Sequence, residues 1–276
     1  MADFAARVAA AVRATGPICC GIDPSSDLLA AWELPDDAQG LRTFGARCIE
    51  AFSGTVGVVK PQVAFYERHG SAGFAALEEL LSAARQAGLL VVADAKRGDI
   101  ANTAEGYARA WLDPQSPLAS DAVTAVAYLG LGALAPLVDR AVATGRGVIV
   151  VARSSNPEGR PLQEALMADG TSVEDRMLEA IAELNATTAP GTVGAVVGAT
   201  LAPSSFPLTR LGGVILTPGV GAQGATADAV GTLFAGCPTG SVLPNVSRSV
   251  LSAGPSVEGL RTAATRARDE LAEVLV

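Results

Sequence analysis

The sequence has almost no lysine. Of its 20 basic residues 18 are arginines, and the lysines are Lys60 and Lys96 alone. Histidine is scarcer still, with His69 the single example. Aromatic residues make up 4% of the 276 positions, and 28 acidic side chains leave a formal net charge of −8. A chain this poor in rings and in positive charge has no basic stripe interleaved with stacking side chains, which argues against nucleic acid as a partner. The four cysteines, Cys19, Cys20, Cys48 and Cys237, fit neither a zinc-ligand spacing nor a secreted disulfide framework, and point to a reducing cytoplasm. Long apolar runs are also missing. The uncharged stretch from Thr187 to Thr209 is broken by Pro190, Pro203 and Pro207, so no membrane span is expected. The opening Met-Ala-Asp-Phe-Ala-Ala-Arg reads as the start of an amphipathic helix rather than a signal peptide.

What the chain does contain is a core and a rhythm. Apolar residues reach 49%, enough for one large domain. Short β-branched runs recur, each followed by a turn signal and a helical pattern, at about 18–23, 56–60, 89–94, 122–126, 148–152, 193–197, 213–216 and 241–246. The runs are apolar on both faces, as in a parallel sheet covered by helices. Helices are expected near 40–53, 71–87, 100–111, 131–143, 173–188, 226–235 and 257–275, with a short irregular one near 203–210. The clearest has Ser71 as N-cap, a stripe of Phe74, Leu77, Leu80, Leu81 and Ala84, and Gly88 as its stop. Eight βα units in about 250 residues predict a (β/α)8 barrel forming one domain over residues 1–276. The main rival is a doubly wound open sheet, but no G-x-G-x-x-G turn follows the first strand. That spacing occurs at Gly219–Gly224, after the seventh strand, where barrels commonly hold phosphate.

Function in a barrel gathers at the carboxyl ends of the strands. The first strand ends in Asp23, the second in Lys60, and the third runs into Asp94-Ala-Lys-Arg-Gly-Asp99. Both lysines therefore fall at this face beside three carboxylates. Alternation with period two places Asp94 and Lys96 on the same side. Flanking carboxylates hold such lysines protonated, which disfavours Schiff-base chemistry and favours proton donation. An acid that protonates a carbanion, beside a carboxylate that crowds an anionic leaving group, suits decarboxylation.

The charged blocks resemble the orotidine 5′-phosphate decarboxylase family in its longer, actinobacterial-type form. The matching stretches are Cys20-Gly-Ile-Asp-Pro-Ser25, Lys60-Pro-Gln-Val-Ala-Phe-Tyr-Glu-Arg-His-Gly70, Asp94-Ala-Lys-Arg-Gly-Asp-Ile100, Val151-Ala-Arg-Ser-Ser-Asn-Pro157, Thr217-Pro-Gly-Val-Gly-Ala-Gln-Gly224 and Pro244-Asn-Val-Ser-Arg248. The resemblance implies conversion of orotidine 5′-monophosphate to uridine 5′-monophosphate and CO2 with no metal or organic cofactor. It implies Lys96 as proton donor to C6, Asp94 beside the departing carboxylate, Lys60 linking Asp94 to the ribose, and Asp23 on the ribose. Asp99, Ile100 and Thr103 would reach the neighbouring site of a homodimer. Ser154 or Ser155 would meet the pyrimidine, and Pro218, Gly219, Gln223 and Arg248 would surround the phosphate.

Two segments depart from the family's pattern. Thr124-Ala-Val-Ala-Tyr128 stands where relatives of this type carry Asn-Pro before the tyrosine, and Gly198-Ala-Thr-Leu-Ala-Pro is looser than usual. Both are expected to lie on the wall of the base pocket, away from the charged array. His69 and Arg97 are read as structural, with Arg97 in a rim salt bridge. Two rivals stay in view: a Mg2+-dependent sugar-phosphate synthase or decarboxylase of the same superfamily, and a catalytically silent nucleotide-binding barrel. The first would carry a glutamate metal ligand where this chain has Lys60-Pro61.

Overall fold

A computed structural model describes residues 2–221 and 224–275. Its strands are β1 (Cys19–Ile22), β2 (Val58–Pro61), β3 (Leu90–Arg97), β4 (Ala122–Ala125), β5 (Gly147–Arg153), β6 (Val193–Val197), β7 (Ile215–Pro218) and β8 (Val242–Val246). They pair in parallel, in chain order, and close when Cys19 of β1 meets Asn245 of β8. The main helices run over Phe4–Thr15, Ala38–Phe52, Gly70–Gln86, Ala101–Leu112, Ala135–Thr144, Val173–Thr187, Ala227–Leu233 and Val257–Leu275. The (β/α)8 barrel expected from the sequence is the fold observed.

The amino end of the barrel is sealed by its own first helix. Asp3 caps Phe4–Thr15 by accepting from Ala6 N–H, and the helix buries Phe4, Val8 and Val12 against barrel-interior side chains that include Cys19, Val58, Val92 and Ile149. The approach is close enough to dictate residue type. A Cβ on Gly147, the first residue of β5, would lie 2.3 Å from the Phe4 ring. Apolar side chains fill this floor, Asp121 at its edge is paired with Arg7 of the first helix, and the open cavity lies at the opposite, carboxyl end.

Local differences from the sequence reading have physical causes. Ser71 is not the N-cap of its helix: the chain arrives from a helical turn at Ala64–Glu67, so the helix opens at Gly70 with His69 in the cap position and no side-chain cap. The 131–143 helix splits into a 3-10 turn, Leu131–Leu134, and an α-helix from Ala135, whose second residue, Pro136, lacks the N–H that a continuing helix would need. β7 starts at Ile215, two residues later than expected. β3 runs on to Arg97 through an irregularity described below.

Candidate active site

Asp94 is the centre of the mouth. It is 8% exposed, and its carboxylate receives four hydrogen bonds, two on each oxygen. Lys96 Nζ and the Thr124 hydroxyl donate to Oδ1 at 2.6 and 2.8 Å. Lys60 Nζ and Gln62 Nε2 donate to Oδ2 at 3.0 and 2.8 Å. Burial alone would push Asp94 towards its neutral form, but the two lysines outweigh it and hold the carboxyl well below the usual carboxylate range. Burial likewise works against a charged Lys60, and Asp23 and Asp94 reverse the balance, keeping its ammonium above the ordinary lysine value. Lys60 lies 3.8 Å from Asp23 Oδ1, an oxygen shut off from solvent that no donor of the described residues hydrogen-bonds.

The charges differ sharply in exposure. The Lys60 and Asp94 side chains are 5% and 10% exposed, whereas Lys96 is 49% exposed. Lys60 is thus a fixed element of the wall, and the Lys96 ammonium is the one that reaches into the open mouth. Directly beneath, burial pushes the Cys19 thiol up to about 12, with Lys60 pulling in the opposite direction. Cys19 is therefore a thiol at neutral pH and no nucleophile.

A cavity of about 340 Å³ joins this array to the far side of the mouth. Besides Asp23, Lys60, Asp94 and Lys96, it is lined by Ser154, Ser155, Pro218, Gly219 and Arg248, all proposed from the sequence. Ser154 is held by a reciprocal pair with Gln163, whose Oε1 accepts from Ser154 N–H and whose Nε2 donates to Ser154 Oγ. Gly198 backs Ser155 so closely that an added Cβ would lie 3.0 Å from the serine Cβ, but the divergent segment from Gly198 to Pro203 does not itself line the cavity. The turn after β7 is braced by Gly221 N–H donating to the Ala225 carbonyl, and Gly219, at φ 104°, turns the chain at its start. A cation at Arg248 beside such a glycine turn can bind an anionic group.

Other residues fall elsewhere. Asp99, Ile100 and Thr103 lie outside this cavity, and Asp99 accepts from Ile100 N–H at 2.8 Å. Gln223 lies outside the described residues. Arg97 pairs with Glu67 and stacks over the Tyr107 and Trp111 rings, the rim role read from the sequence. His69 faces Asp36 at 3.4 Å, away from the cavity. The expectation that Thr124–Tyr128 stays clear of the charges is corrected: Thr124 binds Asp94 directly, because β4 neighbours β3 and its side chain points into the barrel at that level. Gln62 and Asn245 were also missed. Gln62 could have been found two residues after Lys60, on the same side of an extended segment. Asn245, a polar residue within β8, donates to the Cys19 carbonyl at 3.0 Å and lines the cavity.

Fold and site define a (β/α)8-barrel with a lysine–carboxylate array at one side of its mouth and a glycine turn near Arg248 at the other. Comparison with known proteins narrows this class. Residues 16–263 match the model of the "Orotidine 5'-phosphate decarboxylase / HUMPS family", and the chain belongs to that family. It is 52% identical over 271 residues to the orotidine 5′-phosphate decarboxylase of Corynebacterium efficiens, covering 97% of this chain and 96% of the relative. A Streptomyces avermitilis protein that carries the same name provisionally shares the structure with a TM-score of 0.95 at 48% identity, over 100% of this chain and 96% of the other. The Leishmania donovani OMP decarboxylase is more distant, with a TM-score of 0.77 at 28% identity over 99% and 98% of the two chains.

Proposed function

We propose that this chain decarboxylates orotidine 5′-monophosphate to uridine 5′-monophosphate and CO2, the closing step of pyrimidine nucleotide synthesis, with no metal or organic cofactor. The observation that carries the reading is the Lys96 ammonium held 2.6 Å from an Asp94 carboxylate that Lys60 also grips, in a member of this family. Loss of CO2 leaves an electron pair on C6 of the pyrimidine, and Lys96 delivers the proton that this carbon needs. Asp94 stays ionised beside the substrate carboxylate. Its repulsion is felt most in the bound substrate and fades as the charge moves into the ring, so it favours the transition state over the ground state.

The remaining residues bind. Asp23 accepts from a ribose hydroxyl, and Lys60 spans the ribose and Asp94. Ser154 or Ser155 meets the pyrimidine. Arg248, with Pro218, Gly219 and Gln223, holds the phosphate. The active unit is a homodimer in which Asp99, Ile100 and Thr103 complete the neighbour's site. Ile100, Val126, Tyr128 and Leu129, exposed apolar residues at the ends of β3 and β4, support such an interface. No described helix is long and apolar enough to cross a membrane, and the work of the enzyme belongs in the cytoplasm.

The direct test follows orotidine 5′-monophosphate by ultraviolet absorbance together with CO2 release. Stoichiometric conversion by the purified protein is expected, and binding without turnover would rule the reading out in favour of a silent barrel.

A further inference from the structure

The third strand carries an irregularity exactly where the chemistry lies. Ala93 pairs with Val123 and the next register pair is Arg97 with Ala125, so three residues of β3 stand against one of β4. Within this bulge Lys96 takes φ 47°, a left-handed conformation that a side-chain-bearing residue adopts at a cost of about 1 kcal/mol. Something must hold it there. The Lys96 side chain is half-exposed, so packing does not fix it. Its N–H does not enter the strand ladder but donates to the Thr124 hydroxyl oxygen at 3.0 Å. That same hydroxyl donates its own hydrogen to Asp94 Oδ1 at 2.8 Å, and Asp94 Oδ1 receives Lys96 Nζ at 2.6 Å.

The three contacts close a ring: Lys96 backbone, Thr124 hydroxyl, Asp94 carboxylate, Lys96 ammonium. Thr124 is 1% exposed and does not line the cavity, so it touches neither the mouth nor anything bound in it. We propose that Thr124 is a positioning residue, whose hydroxyl locks the bulged backbone of Lys96 and the Oδ1 face of Asp94 so that the ammonium is aimed at the reacting carbon. A hydroxyl suits the place because it donates and accepts at once. A strand residue with only one of these capacities would leave either the Lys96 N–H or the fourth position on Asp94 unmet. This inference rests on the proposed decarboxylation for its kinetic consequence, but its geometric part stands without it.

The experiment compares Thr124→Val, which keeps the β-branched shape and removes the hydroxyl, with Thr124→Ser, which keeps the hydroxyl. Folded sites are counted by calorimetric titration with uridine 5′-monophosphate. Per folded site, Thr124→Val is expected to lose about 100-fold in kcat with KM nearly unchanged, the scale of a small misplacement of a catalytic group. Thr124→Ser is expected to recover most of the rate. A purely structural threonine would lower the number of folded sites and leave kcat per site alone. That result, or a serine variant as slow as the valine one, overturns the proposal. A crystal structure of Thr124→Val reads the positioning with no substrate. Lys96 released from φ near 50° or from Asp94 supports it, and an unmoved Lys96 overturns it. A wild-type protein inert towards orotidine 5′-monophosphate would remove the decarboxylase reading alone, and the crystallographic result would still decide for Thr124.

Discussion

The two sides of the barrel mouth each contain a buried ion pair, and the pairs are built for different ends. On the β1–β4 side Lys60 meets Asp94 with side chains 5% and 10% exposed. On the β5–β6 side Arg153 Nε lies 2.8 Å from Glu174 Oε1, with exposures of 6% and 10%. Arg153 also donates to the Ala202 carbonyl at 3.0 Å. It therefore ties the end of β5 to the helix that starts at Val173 and to the loop after β6, and neither of its charged groups lines the cavity. Lys60 and Asp94 do line it, with the half-exposed Lys96 beside them. Equal burial thus places one pair against the cavity and uses the other to anchor loops, and under the proposed function the first pair serves the chemistry. The nature of the cation fits the proposal: arginine cannot give up a proton and makes a rigid fork, whereas lysine can supply the proton that the proposed reaction needs.

Removing the proton donor should break the chemical side most completely. Lys96→Ala should lower kcat by about 10⁴-fold while the barrel remains folded, the upper range for a general acid. Lys96→Arg should fail to restore it, because guanidinium keeps its proton. Steady-state assays alongside circular dichroism read both, and substantial activity in the arginine variant would refute the assignment. The anchoring pair should respond in stability instead. Arg153→Met leaves Glu174 buried without its partner and should cost about 3–5 kcal/mol in denaturant unfolding, whereas Arg153→Met with Glu174→Leu should recover most of it. A double variant as unstable as the single one would show that the pair's charge is not what matters there.

Acid and base should separate the array's two charge signs. Asp94 is held below its unfolded value, so its contribution to stability is present above about pH 4 and is lost as pH falls through the lower folded value. Lys60 is held above its unfolded value, so its contribution is present below about pH 10 and is lost as pH rises through the higher folded value. Melting curves of Asp94→Asn should accordingly lose less stability than wild type on acidification, and those of Lys60→Met less on alkalinisation. Parallel curves for variant and wild type would contradict the shifts. The smallest effect expected is none. Among the described residues no group of three or more His, Cys, Asp or Glu side chains is placed to hold a metal, and exhaustive EDTA treatment should leave turnover unchanged. Activity lost to EDTA and restored by Mg2+ would point to the sugar-phosphate rival.

The barrel and most of the array were legible because both follow from local rules. The scarcity of lysine marks Lys60 and Lys96 before any strand is drawn, and Lys96 does meet Asp94 at 2.6 Å as its nearness in the chain suggests, although through a bulge with Lys96 at φ 47° and not through even strand alternation. What sequence periodicity could not supply was register between strands. Thr124 follows Val123, the partner of Ala93, and so stands level with Asp94, while the bulge in β3 brings the N–H of Lys96, two residues further on, to the same hydroxyl. Arg153 and Glu174 lie far apart in the chain, on elements whose relative placement the pattern leaves open. The cap of the Gly70–Gln86 helix was misread at Ser71 for a related reason, since the preceding helical turn at Ala64–Glu67 is too short to show a period.

The division of labour across the mouth is tested most directly with two substrates. Arg248 and Lys96 line one cavity, and the proposed function assigns phosphate binding to the first and proton delivery to the second. Phosphate binding far from C6 can speed the reaction only by fixing the array around the base. The measurement is kcat/KM of Arg248→Ala and Lys96→Ala towards orotidine 5′-monophosphate and towards orotidine, which lacks the phosphate. Arg248→Ala should lose about 10²–10³-fold with the nucleotide and almost nothing with the nucleoside, while Lys96→Ala should lose heavily with both. Equal damage by Arg248→Ala towards the two substrates would contradict the account, because Arg248 would then support the fold or the chemistry instead of gripping the phosphate.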